Sequence, residues 1–178
     1  MNVEEMRTEP PLPKGRPMRT LPNQKVAVLI DDNNITCAGD KKLRHKIDYA
    51  KLLKLIGERE ILRAMLYRPV TRDRHFPVEF RDALERKLGI EVKTPPKNVD
   101  CWLTVDAISL AGKADVIVLI AGDKDYVPLV HYLKAQGCKV EVLSWPRAVA
   151  EDLVAAADQY SALDCSILQA EEPKKIAA

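Results

Sequence analysis

Residues 116–130 read VIVLIAGDKDYVPLV, and this stretch decides the fold. Five consecutive apolar residues, four of them β-branched, predict a strand buried on both faces, as in a parallel sheet. Gly122 is expected to let the chain turn sharply where this strand hands over to a helix. Asp123-Lys124-Asp125 then opens an amphipathic helix over residues 126–136, stopped by Gly137. Two carboxylates at the carboxyl end of a central strand, beside a helix start, occupy the place where doubly wound sheets bind ligands. An acidic pair there is a candidate metal site.

Outward from this stretch, the same alternation repeats. Residues 25–30 (KVAVLI) predict a first strand, followed at once by Asp31-Asp32-Asn33-Asn34, with Asn34 open to a turn-forming role. Helical spacing of apolar residues over 47–57, ending at Gly57, precedes a second strand at 60–67 (EILRAMLY). A helix over 76–88 closes at Gly89, and residues 90–93 form a short third strand. The stiff connector Thr94-Pro95-Pro96-Lys97 leads to a helix over 99–111, with Leu103, Ala107, Leu110 and Ala111 on one stripe. Strand five is expected at 139–143 and a last helix at 148–157. Strands alternating with helices imply an α/β fold: a mostly parallel five-stranded sheet with helices on both faces. If strand one neighbours strand four, their carboxyl ends bring Asp31 and Asp123 together.

The expected organisation is a Pro-rich, weakly basic tail at 1–24, one domain at 25–165, and a C-terminal tail at 166–178. A chain of 178 residues is long enough to bury roughly 70% of its unfolded surface around a single core. Lys and Arg number 28 against 26 Asp and Glu, so overall charge announces no polyanion partner, and any such partner must be read from local patches. Aromatics, at 5%, are too few for extended base-stacking platforms. Cys37, Cys101, Cys138 and Cys165 lie far apart, without zinc-site spacing, and read as reduced thiols. No apolar run reaches the ~20 residues of a membrane span, and the N-terminus lacks a signal peptide's apolar core. A cytoplasmic protein is expected.

Carboxylates converging on a half-buried crevice repel by about 4 kcal/mol at 4 Å and an effective dielectric near 20, so they need protons or a cation. Mg2+ or Mn2+ suits aspartate ligands, needing no Cys or His, and a metal held this way can activate water beside a scissile phosphate. The cations Lys41, Lys42, Arg44 and Lys46 follow the Asp31 stretch, and Arg68, Arg72 and Arg74 follow strand two. A basic rim around an acidic centre suits a phosphodiester, the rim binding backbone. Such charges also serve simply as solvated faces.

Three separated signatures resemble the NYN domain of PIN-like nucleases, and its bacterial LabA-like branch in particular. They are Asp31 with Asn34 after strand one; Lys97-Asn98-Val99-Asp100 before a helix carrying Val105-Asp106-Ala107; and Gly122-Asp123-Lys124-Asp125-Tyr126-Val127-Pro128-Leu129. The similarity runs over about residues 26–163. It implies a Rossmann-like PIN fold with strand order 3-2-1-4-5 and a Mg2+- or Mn2+-dependent ribonuclease site acting on RNA. By position, Asp31, Asp100 and Asp123 would be the metal-binding acids, Asp125 a fourth and Asn34 a polar partner. Asp106 also matches a recurring acid. Six helical residues place it roughly 120° around from Asp100, so it is assigned a supporting role behind the ligands. Lys97, Lys41, Lys42, Arg44, Arg68 and Arg72 are the expected substrate-binding residues. Two departures stand out: Asp32 where the family often has Gly, and Ala121 where it often has Ser.

Structural readings stand beside these. Asp125 and Asp100 are each placed to cap a helix, whereas nothing local requires an acid at Asp31 or Asp123. A receiver domain, a toprim-like nuclease and a haloacid-dehalogenase-type phosphatase each fail on motif order. The rival reading is a catalytically weak PIN-like module that binds RNA or a regulatory protein partner, and a homodimer is compatible with either.

Overall fold

The computed structural model describes residues 21–37, 47–69 and 77–169. The expected N-terminal tail up to residue 20, and Lys41, Lys42, Arg44, Lys46, Arg72 and Arg74, lie outside the described residues, as does the end of the chain from residue 170. The strands are β1 (Lys25–Asp31), β2 (Glu60–Tyr67), β3 (Ile90–Lys93), β4 (Val116–Ile120), β5 (Lys139–Ser144) and β6 (Gln159–Ala162). The helices are α1 (Asp32–Cys37), α2 (Tyr49–Lys54), α3 (Val78–Asp82), α4 (Val99–Leu110), α5 (Val127–Ala135) and α6 (Glu151–Ala156). A π-helical turn (Ala83–Lys87) prolongs α3, and a 3-10 turn (Lys124–Tyr126) leads into α5.

All strands pair in parallel, in the order β3-β2-β1-β4-β5-β6. The expected five-strand order 3-2-1-4-5 is present and extended by one. The sixth strand escaped the sequence because Gln-Tyr-Ser-Ala has neither a β-branched run nor an apolar period. It forms because β5 offers a free edge: Asp158 N–H donates to the Val140 carbonyl at 2.9 Å and Leu163 N–H to the Ser144 carbonyl at 2.8 Å. A second difference is α1, a short helix starting directly at the end of β1. Its first turn carries Asp32, a favourable charge at a helix N-terminus. Asn34 is therefore helical rather than in a turn.

The unbroken apolar runs are explained by burial on two faces. Ala27, Leu29, Ile117, Leu119, Val140 and Val142 point to one side, beneath α4, α5 and α6. Val26, Val28, Ile30, Val116, Val118 and Ile120 point to the other, beneath α1, α2 and the π-helical turn. Within this second layer, Glu141 of β5 is buried and held by Arg59, whose two terminal nitrogens lie 3.2 and 3.1 Å from its carboxylate oxygens. Lys139 adds a contact at 2.6 Å. Among the described residues no helix is long and apolar enough to cross a membrane, and Cys101, Cys138 and Cys165 are free thiols.

Candidate active site

β1 and β4 are hydrogen-bonded neighbours, with Ile30 opposite Ile120, and the chain leaves them towards opposite sides of the sheet. Their carboxyl ends are thus the switch point where open α/β sheets hold ligands. The last residue of β1 is Asp31, and β4 runs on into Ala121-Gly122-Asp123.

Asp31 is only 2% exposed. Its Oδ1 accepts the Asn34 backbone N–H at 3.1 Å and its Oδ2 accepts the Asn34 side-chain amide at 2.8 Å. The Asn34 Oδ1 in turn accepts the Gly122 N–H at 2.9 Å, so one side chain ties the β1 acid to the loop after β4. The Tyr126 hydroxyl lies 2.9 Å from Asp31 Oδ2 and 2.8 Å from Asp100 Oδ1. Asp100, half-buried in the first turn of α4, is thereby joined to Asp31 across one phenol. A single O–H donates fully to one acceptor at a time, and among the described residues neither carboxylate has an ion-pair partner. Burial, reinforced by the negative charge of Asp100, pushes the Asp31 carboxyl above its ordinary range, against the lowering effect of its hydrogen bonds. Burial and the same two acids push the Tyr126 phenol far up, so it stays protonated as a donor.

Asp123 caps the 3-10 turn, its Oδ1 accepting the Asp125 N–H at 3.0 Å. Asp125 does not cap α5, whose N-cap position is Tyr126 without a side-chain bond, and Asn98, not Asp100, stands at the N-cap of α4. The exposed Asp125 lines an open groove of about 640 Å³ between α5 and α6 with Lys124, His131 and Asp152, and none of Asp31, Asp100 or Asp123 lines it. Gly122 also differs from expectation. It has no positive φ; it is glycine because an added Cβ would stand 2.5 Å from the Ala148 carbonyl oxygen and 2.9 Å from Ser144 Oγ.

The remaining residues fall outside this cluster. Asp106 accepts the Tyr67 hydroxyl at 2.7 Å and pairs with Lys93 at 2.7 Å, fastening α4 to the ends of β2 and β3. Arg68, expected to bind substrate, is drawn instead into an ion pair with Asp32, whose other oxygen accepts the Tyr49 hydroxyl. This accounts for Asp32, which is 1% exposed: the acid at a frequent glycine position is matched by Arg68. Arg68 also packs over the Phe80 ring, 5.9 Å from its centre. Lys97 is exposed. Tyr126 stands inside a sequence motif that pointed to no role for it; an aromatic directly after Gly-Asp-x-Asp, heading a helix beside the acids, was the available signal.

A family model for the NYN domain matches residues 25–164. The chain belongs to the NYN domain family. It is 27% identical over 155 residues to the low amplitude and bright protein LabA of Synechococcus elongatus, covering 76% of this chain and 82% of that protein. This similarity puts this NYN domain in the LabA-like branch. A crystal structure of a Vibrio parahaemolyticus protein of unknown function superimposes with a TM-score of 0.73 at 26% identity, over 85% of this chain and all of that one.

For a divalent cation, the donors of this NYN domain are hard carboxylate oxygens without an ion-pair partner among the described residues, the chemistry that Mg2+ or Mn2+ requires. Among the described residues no three Asp, Glu, His or Cys side chains stand close enough to form a complete metal site by themselves. A cation here would take part of its oxygen shell from water and substrate, a habit of Mg2+ at phosphate sites.

Proposed function

We propose that this protein is a Mg2+- or Mn2+-dependent ribonuclease that hydrolyses RNA phosphodiester bonds. One observation carries the reading: Asp31 and Asp100, 69 positions apart in sequence, meet on the Tyr126 hydroxyl at the sheet's switch point, with no ion-pair partner for either among the described residues. Family membership supports it, since NYN domains belong to the PIN-like nucleases. Asp31 and Asp100 would hold the ion directly and Asp123, just after β4, through water, and the ion when bound activates water and offsets charge on the scissile phosphate.

The chain's own residues prepare this site. Asn34 fixes the Asp31 carboxylate and the Gly122 backbone together, so β1 and β4 present their acids as one unit. Tyr126 holds Asp100 towards Asp31. Asp125 supplies the backbone N–H that orients Asp123. Asp106 anchors α4 and so sets where Asp100 stands. Lys97, exposed just ahead of Asp100, would meet a substrate phosphate, and Lys41, Lys42, Arg44 and Arg72 would extend that contact.

A second reading, a catalytically weak module that binds RNA or a regulatory partner, is favoured by the lack of a three-acid cluster among the described residues. One experiment separates the two. Labelled single-stranded and structured RNAs are incubated with the purified chain in Mg2+, Mn2+ or EDTA, with Asp31→Asn in parallel. Metal-dependent cleavage lost in the variant supports the nuclease; retention of RNA without cleavage in either metal overturns it in favour of the binding module.

A further inference from the structure

The groove beside α4, on the flank away from Asp100, is not used by the site described above. Side chains spaced four and three residues apart share one face of a helix, so Trp102, Asp106 and Ser109 form a stripe on α4. That stripe faces the outer strands. Asp106, Ser109 and Lys113 line an open groove of about 300 Å³, with Arg63 of β2 and Lys93 of β3 also in its lining. Trp102 stands one turn above Asp106, at the end nearer the acids, in the same first turn as Asp100.

Two properties say what fits there. The first is charge. Three cations, Arg63, Lys93 and Lys113, face two acids, Asp106 and Glu91. The pairs differ in how firmly they are held. Lys93 is tightly engaged by Asp106 at 2.7 Å, whereas Arg63 and Glu91 are 3.6 Å apart, with 60% of the Arg63 side chain exposed. So exposed a pair contributes little, and the guanidinium can exchange its carboxylate for a phosphate, which it grips through two parallel hydrogen bonds. Lys113 is exposed and has no ion-pair partner among the described residues.

The second is the indole. Trp102 is 49% exposed, in a chain with only two tryptophans. The other, Trp145, is partly buried and donates its N–H to the Ile35 carbonyl at 2.8 Å. A large aromatic surface standing in water one helical turn from Asp106, at the head of a groove lined by cations, matches the way proteins hold unpaired bases: stacking on the ring while basic groups follow the backbone. A duplex keeps its base faces covered and cannot use the indole.

We propose that this groove receives the single-stranded flank of an RNA substrate, with a base stacked on Trp102 and phosphates held by Arg63 and Lys113. The inference rests on the RNA reading above and names the form of RNA and the path it takes away from the acids.

The test uses the full chain in EDTA, so that binding is read without cleavage. Titration with a single-stranded RNA oligonucleotide should quench tryptophan fluorescence saturably, and the quench should vanish in Trp102→Leu, where Trp145 still reports. Trp102→Ala should weaken binding by about 5- to 150-fold, the range that loss of one base stack gives, and Trp102→Tyr should largely restore it. Arg63→Ala with Lys113→Ala should flatten the dependence of affinity on salt by roughly one unit of slope per lost phosphate contact. Unchanged affinity in Trp102→Ala, or equal affinity for duplex, overturns the groove while leaving an RNA-binding site elsewhere intact. No RNA binding by the wild-type chain overturns the RNA reading itself. A Trp102 signal that changes with protein dilution in the absence of RNA would assign this face to a second copy of the chain and overturn the proposal.

Discussion

Replacing Asp32 by Ala should destabilise the fold substantially while touching none of the proposed metal-binding acids. Asp32 is buried and accepts from the Arg68 guanidinium and the Tyr49 hydroxyl, joining the end of β1 to the residue after β2 and to the start of α2. Its removal takes the carboxylate away from the Arg68 guanidinium and from a buried phenol. Breaking a buried ion pair from one side costs about 3–5 kcal/mol, because the partner's desolvation is no longer offset. A quarter of the Arg68 side chain reaches solvent, so its charge keeps some hydration and the lower end applies. A loss of about 3 kcal/mol lowers the melting temperature of a chain this size by roughly 6–12 °C. Thermal and urea unfolding of Asp32→Ala, Arg68→Met and the double variant would measure it. The double variant should be less damaged than the two singles added together, by about 1–3 kcal/mol, since each single already loses the shared pair. A single-variant loss below about 1 kcal/mol, or strict additivity, would refute the assignment of Asp32 to this pair.

Other outcomes follow from the same geometry. Burial and Asp100 raise the Asp31 carboxyl, so the folded chain binds that proton more tightly than the unfolded chain does. The resulting stability is full below the unfolded value and is lost as pH rises through the folded one. Asp31→Asn should therefore raise the melting temperature at neutral pH, with a gain that shrinks on acidification; a variant no more stable than wild type across a pH series of melts contradicts this. Tyr126→Phe keeps the ring but removes the hydroxyl shared by Asp31 and Asp100, and should reduce Mn2+-dependent RNA cleavage roughly 10–100-fold, as loss of groups that orient metal ligands does. Wild-type rates at every Mn2+ concentration would exclude that role. Gly122→Ala places a methyl 2.5 Å from the Ala148 carbonyl oxygen, and overpacking of this kind costs about 1–3 kcal/mol in urea unfolding.

The fold was legible wherever the apolar pattern was unambiguous. β2 and β3 lie where their runs predicted, and the Val116–Ile120 run is buried throughout, as expected for a central parallel strand. β6 was invisible because its residues carry no strand signature and pair only once β5 presents an edge. α1 was hidden for a related reason: six residues are too few for a helical period. Asp106 shows the reach of helical arithmetic. Its angle from Asp100 excluded a shared orientation, but only the structure supplied Tyr67 and Lys93 as its partners.

The sequence by itself determined that strands alternate with helices and that acids stand at the carboxyl ends of two of those strands. Both are local properties, set by side-chain periodicity and by residues adjacent to a run. The tertiary structure decided which polar groups meet. It gave Asp32 to Arg68, Glu141 to Arg59, and Asp31 and Asp100 to one tyrosine, because a buried charge must find its partner wherever the packed chain brings one within hydrogen-bonding distance. That distance is fixed by sheet order and helix packing, and neither is written in the spacing of residues along the chain.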